Sequence, residues 1–322
     1  MTDSLRGAAE FDLIARIRAR VASRDDVVLG IGDDAALLQV PAGRHLVVAM
    51  DTLNAGVHFP EDTAPADIGW KALAVNLSDL AAMGAEPAWC TLSLSMPQSD
   101  AGWVDGFLDG FLELAAQHRV SLVGGDTTRG PLSISVTVHG LVAPGRALRR
   151  DGARVGDDVW VSGTLGDAGA ALQQWRDGGP RDGFLRQRLD RPTPRIALGH
   201  ALADVANACI DVSDGLLADM AHMCRASGVG VSLRVADLPA SPALCATFDE
   251  DARRALQAGG GDDYELCFTA PGELRDEVQR LAAQADTAVT RIGTVIEGQG
   301  VQAVDAAGAA WNAPRAGYEH FG

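Results

Sequence analysis

Residues 29–38 read LGIGDDAALL, and an answering segment at 49–53 reads AMDTL. Two glycines frame Ile31, and the adjacent carboxylates of Asp33 and Asp34 follow directly, ahead of another apolar run. Neighbouring carboxylates repel, and they are tolerated beside apolar sequence when a cation, a helix N-terminus or several backbone N–H groups neutralise them. Two readings are open for this stretch alone: a divalent metal site, or a solvated turn in which Asp33 or Asp34 caps a short helix at Ala35. Recurrence favours the first. Acidic residues beside glycine or hydroxyl residues return at NLSD (76–79), GGDTT (124–128), DVSDG (211–215) and GGGDD (259–263). Most of them follow or interrupt an apolar run, as expected of loops at the ends of core elements that converge on one acidic site.

The length of 322 residues exceeds what one hydrophobic core usually serves, so two domains are expected. A net charge of −16 argues against a nucleic-acid surface or an anionic membrane as partner. An anionic substrate would need metal ions to bridge it to such a protein. No apolar run is long enough for a membrane span and the N-terminus lacks a signal-type apolar segment, so a cytoplasmic location is expected. Cys90, Cys209, Cys224, Cys245 and Cys267 are scattered without a CxxC pair and read as reduced core residues.

Periodicity then orders the chain. Helical spacing of apolar residues predicts helices over 11–21, 66–83 and 100–118, with Asn76 and Asp79 sharing a face of the second. Strands are expected at 45–50, delivering Asp51, at 88–96, at 121–123 running into the GGDTT loop, and at 132–139, where Ile134, Val136 and Val138 alternate with polar residues. These elements make the first half an α/β layer domain. Composition shifts to arginine, glycine and aspartate around 145–156, a plausible junction. Beyond it, strands are expected at 158–162, 208–210, 230–235, 265–269 and 289–296. The helices between and after them are expected to end near Trp175 and to cover 181–190, 196–206, 216–227 and 273–283.

The P-loop, the GxGxxG dinucleotide fingerprint, the kinase HRD and DFG signatures, HExxH and the Gly-x-Ser-x-Gly elbow are all missing. Glycine pairs followed by aspartate still suit phosphate and magnesium together, because glycine admits backbone N–H groups to phosphate oxygens while aspartate takes the ion. A tight turn with Asp126 as its cap reads equally well for GGDTT alone. In DVSDG, Ser213 or Asp214 is expected to cap the following helix, an arrangement that can also receive phosphate.

GIGDDAALL, MDTLNAGVHF, KALAVNLSDLAAMGAEP, GGDTTRGPL, SGTLGDAGAAL, RPTPR, DVSDGLLADM and GGDDYELCFT, in this order, resemble the thiamine-monophosphate kinase family over nearly the whole chain. The resemblance implies the two-domain α/β (α+β) fold of the aminoimidazole ribonucleotide synthetase superfamily. Residues 1–148 would form an N-terminal domain, a mixed sheet with helices that binds ATP and magnesium and pairs two copies into a homodimer. Residues 149–322 would form a C-terminal α/β domain completing the nucleotide and substrate site. It implies ATP-dependent phosphorylation of thiamine phosphate to thiamine diphosphate, with ATP as co-substrate and several Mg2+ ions. Carried over by motif, the magnesium ligands are Asp34, Asp51, Asp79, Asp126, Asp211 and Asp214, and the ATP contacts are Gly125, Asp126, Arg150 and Ser213. The thiamine phosphate contacts are His58, Asp262 and Arg315. Met50 stands where a hydroxyl residue is common, Asp262 where glutamate is usual, and Arg315 at an aromatic position. Trp311 is either a substitute aromatic face for the thiazolium or an anchor for the C-terminal segment. No side chain sits in a nucleophile–base pattern, so direct in-line transfer without a covalent intermediate is expected. Another ATP-dependent enzyme of the same superfamily, with a different small acceptor, is the alternative.

Overall fold

The computed structural model describes residues 10–314, 317 and 318. The chain divides into two units, one running to residue 80 and taking up again at 86–144, the other made of 81–85 and 145 onward. No helix among the described residues is long and apolar enough to cross a membrane.

In the first unit, α1 (Glu10–Arg20) precedes a small hairpin of β1 (Val27–Leu29) and β2 (Leu37–Leu38). The acidic stretch is the tip of that hairpin. Its base is fixed by Asp26, whose carboxylate accepts from Trp89 Nε1 at 2.9 Å and from Arg24 at 2.8–2.9 Å. Then follow β3 (His45–Asn54), α2 (Pro65–Ala82), β4 (Glu86–Met96), α3 (Ala101–Gln117), β5 (Ser121–Arg129) and β6 (Ser133–Val142). The sheet order is β3-β6-β4-β5, with β4 and β5 parallel and the other pairs antiparallel. Strand β6 alternates as its sequence does: Ile134, Val136 and Val138 are buried, while Ser133, Ser135 and Thr137 between them are half-buried. Helices α2 and α3 touch backbone to backbone, since a Cβ on Gly69 would strike the Phe107 carbonyl and one on Gly110 the Ala66 carbonyl. Asp100 caps α3 by accepting from the amides of Gly102 and Trp103.

The second unit holds β7 (Asp158–Ser162), α4 (Asp167–Arg176), α5 (Phe184–Asp190), α6 (Ile196–Leu202), β8 (Ala208–Val212), α7 (Leu216–Ser227), β9 (Gly230–Arg234), α8 (Pro242–Thr247), α9 (Glu250–Gly259), β10 (Glu265–Ala270), α10 (Arg275–Gln284), β11 (Val289–Ile296) and β12 (Gly300–Val304). The sheet runs β12-β9-β11-β7-β10-β8, antiparallel except for the β12–β9 pair. Every residue of β7, β8 and β10 is buried. One face packs Val159, Val161, Ile210 and Val212 against Met220 and Met223 of α7. The other packs Trp160, Cys209, Leu266 and Phe268 against α6 and α10. Trp311 packs on the first of these cores, and its N–H donates to the Ala303 carbonyl at 2.8 Å, so it anchors the segment after β12.

Four local expectations are corrected. GGDTT is not a loop: β5 continues through it to Arg129, because the ladder to β4 absorbs the glycines at a register shift beside Cys90 and Thr91. No helix begins at Ala35, where the chain runs on into β2. The helix expected over 196–206 stops at Leu202. Residues 242–259, for which no element is expected from periodicity, form α8 and α9, capped by Ser241 and Asp249.

Candidate active site

In the first unit the acidic positions are spread along the sheet and its connections. Asp33 and Asp34 are exposed, and Asp33 Oδ1 accepts the Asp34 N–H at 2.8 Å, so the first carboxylate braces the turn that presents the second. Asp51 sits on the edge strand β3, where its N–H donates to Asn76 Oδ1 at 2.8 Å. Asn76, buried in α2, returns its own amide to the Ala72 carbonyl. Asn76 therefore ties α2 to the strand that carries Asp51. Asp79, three residues on, is half-buried. His58 accepts the Asn54 N–H on Nδ1 at 2.9 Å, and its carbonyl accepts from Lys71 Nζ at 3.0 Å. The single lysine, fully buried, thus holds the segment that presents His58.

Gly125 has φ +148°, and a Cβ there would run into the Leu92 carbonyl, so the position accepts only glycine. Asp126 follows it, exposed, in register with Ser93. Asp51 shares a row with Val136, Leu92 and Gly125. Asp51 and Asp126 thus lie on opposite edge strands, three strand spacings or roughly 14 Å apart along the sheet. Within one chain this sheet does not bring those two carboxylates together.

The second unit is different in kind. Strand β8 carries Asp211, buried, as its penultimate residue, and after Val212 the chain turns through Ser213, Asp214 and Gly215 into α7. The cap residue is Gly215, not Ser213 or Asp214 as expected from the sequence. The capping oxygen comes from inside the helix: Asp219 Oδ2 accepts the N–H groups of Ser213, Asp214 and Gly215 at 3.0–3.1 Å. Those three amides are therefore engaged by a protein carboxylate. Burial, with Asp211 and Asp214 nearby, pushes the Asp219 carboxyl up to about 7, even though the amides it accepts pull the other way.

Asp262 lies against the same turn, its N–H donating to the Ser213 carbonyl at 2.8 Å and its Oδ1 accepting from the Tyr264 hydroxyl at 3.1 Å. Both Asp262 and Tyr264 have left-handed backbone, which costs a non-glycine residue about 1–3 kcal/mol. Glu265, fully buried, is held by Arg195 at 2.6 and 2.7 Å, by Arg188 at 2.8 Å and by the Ser162 hydroxyl at 2.6 Å. The RPTPR motif thus supplies, through Arg195, a partner for a buried carboxylate rather than a ligand contact. Arg150 is exposed, while Arg149 beside it pairs with Asp151. Arg315 lies outside the described residues. The next described residues reach the site: Tyr318 donates its N–H to the Asp214 carbonyl at 3.0 Å, and Gly317 packs against Ala218. The signal for Tyr318 was available in the sequence as the single tyrosine of the tail, three residues beyond Arg315.

The donor chemistry suits a hard divalent cation. No three His, Cys, Asp or Glu side chains among the described residues converge as a ready-made cage. Magnesium, however, takes one or two carboxylates together with substrate phosphate oxygens. Burial raises Asp219, and the neighbouring carboxylates of Asp211 and Asp214 raise it further, a repulsion that such an ion would lessen.

Residues 32–142 match the family of AIR synthase related proteins, N-terminal domain, and residues 154–306 match the corresponding C-terminal domain. The thiamine-monophosphate kinase of Salmonella typhimurium is 48% identical over 290 residues, 88% of this chain and 89% of that protein. The crystal structure of thiamine-monophosphate kinase from Stenotrophomonas maltophilia K279a is similar at 55% identity and a TM-score of 0.87, covering 92% of this chain and 97% of that one. A structure of AaThiL complexed with AMPPCP and TMP is similar at 34% identity and a TM-score of 0.77, covering 99% and 100%.

Proposed function

The chain belongs to the thiamine-monophosphate kinase family of AIR synthase related proteins, and on that premise we propose how its acidic loops carry out the family's reaction. It is an ATP-dependent kinase that phosphorylates thiamine phosphate, giving thiamine diphosphate and ADP. The observation that carries this is the combination of high identity over nearly the full chain with the likeness to AaThiL complexed with AMPPCP and TMP.

Transfer is direct. The terminal phosphate oxygen of thiamine phosphate is already an anion near neutral pH and attacks the γ-phosphorus in line, with ADP as leaving group. No side-chain nucleophile takes part. Burial drives the thiols of Cys90, Cys209 and Cys267 well above their ordinary range, which leaves them unreactive. Several Mg2+ ions, not one, would be held among Asp34, Asp51, Asp79, Asp126, Asp211 and Asp214, and they would screen the two phosphates from each other and from the carboxylates. Gly125, Asp126, Arg150 and Ser213 contact ATP, so residues 1–148 bind nucleotide and metal while 149–322 complete the site. His58, Asp262 and Arg315 contact thiamine phosphate. Tyr318, tied by its backbone to Asp214 and 38% exposed, supports a second role in that site: an aromatic face for the thiazolium cation, worth about 0.5–2 kcal/mol.

The enzyme acts as a homodimer in the cytoplasm. The edge strand β3 exposes Leu46, Val48 and Met50 at 45%, 55% and 61%, an apolar row that a second copy would cover. All five cysteines are free, in keeping with a reducing compartment. The decisive assay combines ATP labelled at the γ-phosphate, Mg2+ and thiamine phosphate, with a denaturing quench. Label should pass to thiamine diphosphate and never remain on the protein. Label retained on the protein would refute direct transfer, and absence of thiamine diphosphate would refute the kinase reading itself.

A further inference from the structure

Asp263 is used neither as a ligand nor as a substrate contact in that mechanism, yet it lies between two strained residues. Asp262 and Tyr264 have φ +68° and +50°, and such conformations persist only where the surroundings over-determine them. Backbone bonds restrain both sides, from Asp262 N–H to Ser213 O and from Tyr264 N–H to Val212 O, each 2.8 Å. Asp263 itself is 1% exposed. Its Oδ2 accepts the Gly166 N–H at 2.7 Å, and its carbonyl accepts from the Arg188 guanidinium at 3.3 Å. Gly166 is the cap residue of α4, with φ +85° and no side-chain cap of its own. The other oxygen, Oδ1, has no hydrogen-bond partner. A buried carboxyl that satisfies one oxygen on a turn 97 positions away and leaves the other unmet is an expensive way merely to fill space.

We propose that Asp263 is a positioning residue for thiamine phosphate recognition: by accepting the Gly166 amide it locks the entry turn of α4 to the strained 262–264 segment and so sets the Asp262 carboxylate. The inference rests on Asp262 being a substrate contact. Ser213, on the far side of Asp262, has a restraint of its own through Asp219, so the nucleotide side does not depend on Asp263. Burial pushes the Asp263 carboxyl above its ordinary range, and asparagine keeps an oxygen that can accept the Gly166 N–H.

The test compares Asp263→Ala and Asp263→Asn with the wild-type chain by steady-state kinetics and by amide hydrogen exchange. Asp263→Ala should raise the KM for thiamine phosphate about tenfold, ~1.4 kcal/mol, while the KM for ATP stays within about twofold. Exchange at the Gly166 and Asp262 amides should accelerate in the same variant. Asp263→Asn should restore both KM values to within about threefold of wild type and restore protection. A thiamine phosphate KM that does not move, one that rises in step with the ATP KM, or a failure of asparagine to rescue overturns the proposal. Should Asp263→Ala not fold, Asp263→Asn decides alone, and a tenfold loss there overturns it. Wild-type protein without thiamine phosphate turnover would sink the kinase reading instead. The exchange data would then still show whether Asp263 pins Gly166.

Discussion

The acidic positions of the first unit and those of the second meet the same problem, repulsion between carboxylates, in opposite ways. In the first unit Asp34 and Asp126 are exposed, and Asp51 and Asp126 sit on opposite edges of one sheet. Their charges are kept apart. In the second, Asp211, Asp214 and Asp219 crowd around one turn in the protein interior, and backbone amides together with a raised carboxyl absorb the cost. Dispersed carboxylates cost the free protein little and acquire a function only when ions and phosphates gather them. Crowded ones are organised before any ligand arrives, and stability at neutral pH is lower for it.

That contrast breaks if the two sets prove unequal in catalysis. Asp51→Asn, Asp126→Asn and Asp214→Asn should each lower turnover by upwards of about 100-fold, beyond the 10–100-fold that a supporting residue costs. Metal-free melting temperatures should hold for the first two and rise for Asp214→Asn, which removes charge from the crowded turn. Near-wild-type turnover in all three would sink the metal assignment.

The open face of the first unit gives the next test. Met50→Glu places a charge in the exposed apolar row of β3 and should convert a dimer of twice the chain mass into monomers by light scattering. A wild-type protein that is monomeric at micromolar concentration would count against the dimer.

The pH dependence of stability should differ in sign between the units. The Asp219 carboxyl is pushed up to about 7 in the fold from an ordinary 3.8, so the folded state holds its proton over a window in which the unfolded chain has lost it. Its contribution is fully present below about pH 4 and fades as pH rises through about 7, by up to ~4 kcal/mol in the metal-free protein. Asp26 runs the other way: the Arg24 guanidinium, aided by Trp89, lowers it, so its contribution is present above pH 3.8 and disappears in stronger acid. Denaturant titrations of wild type and Asp219→Asn between pH 2 and 8 would separate the two, and an unchanged slope between pH 4 and 8 in the variant would contradict the assignment.

The smallest effect belongs to the tail. Tyr318→Ala should raise the thiamine phosphate KM about fivefold, ~1 kcal/mol, with Tyr318→Phe close to wild type and the ATP KM unmoved. Trp311→Ala should lower the melting temperature and leave both KM values alone, because Trp311 packs on the core.

Much of the molecule could be read without its structure. The 3.6-residue spacing of α2 places Asn76 and Asp79 on one face, and alternation in β6 separates a buried row from a half-buried one. Both follow from local periodicity, which depends only on neighbours a turn or a pleat away. The capping of α7 escaped the same logic: the residues before a helix are the usual source of the cap, whereas Asp219 reaches back from within it. GGDTT escaped because glycine signals a turn unless a neighbouring strand, here β4, supplies the ladder that keeps it extended.

Residue order alone carries the kind of chemistry: paired glycines and aspartates after apolar runs, in an order that resembles one family of phosphotransferases, and a charge that requires a cation for any anionic substrate. Which oxygens are already committed follows from the packing of distant elements. The Asp51 amide meets Asn76 across 25 positions, Asp263 meets Gly166 across 97, and Glu265 meets Arg195 across 70. Hydrogen bonding is short-ranged in space and indifferent to separation along the chain. Two identical Gly-Asp turns can therefore differ entirely in function, according to which distant group the packing of the sheet brings within about 3 Å.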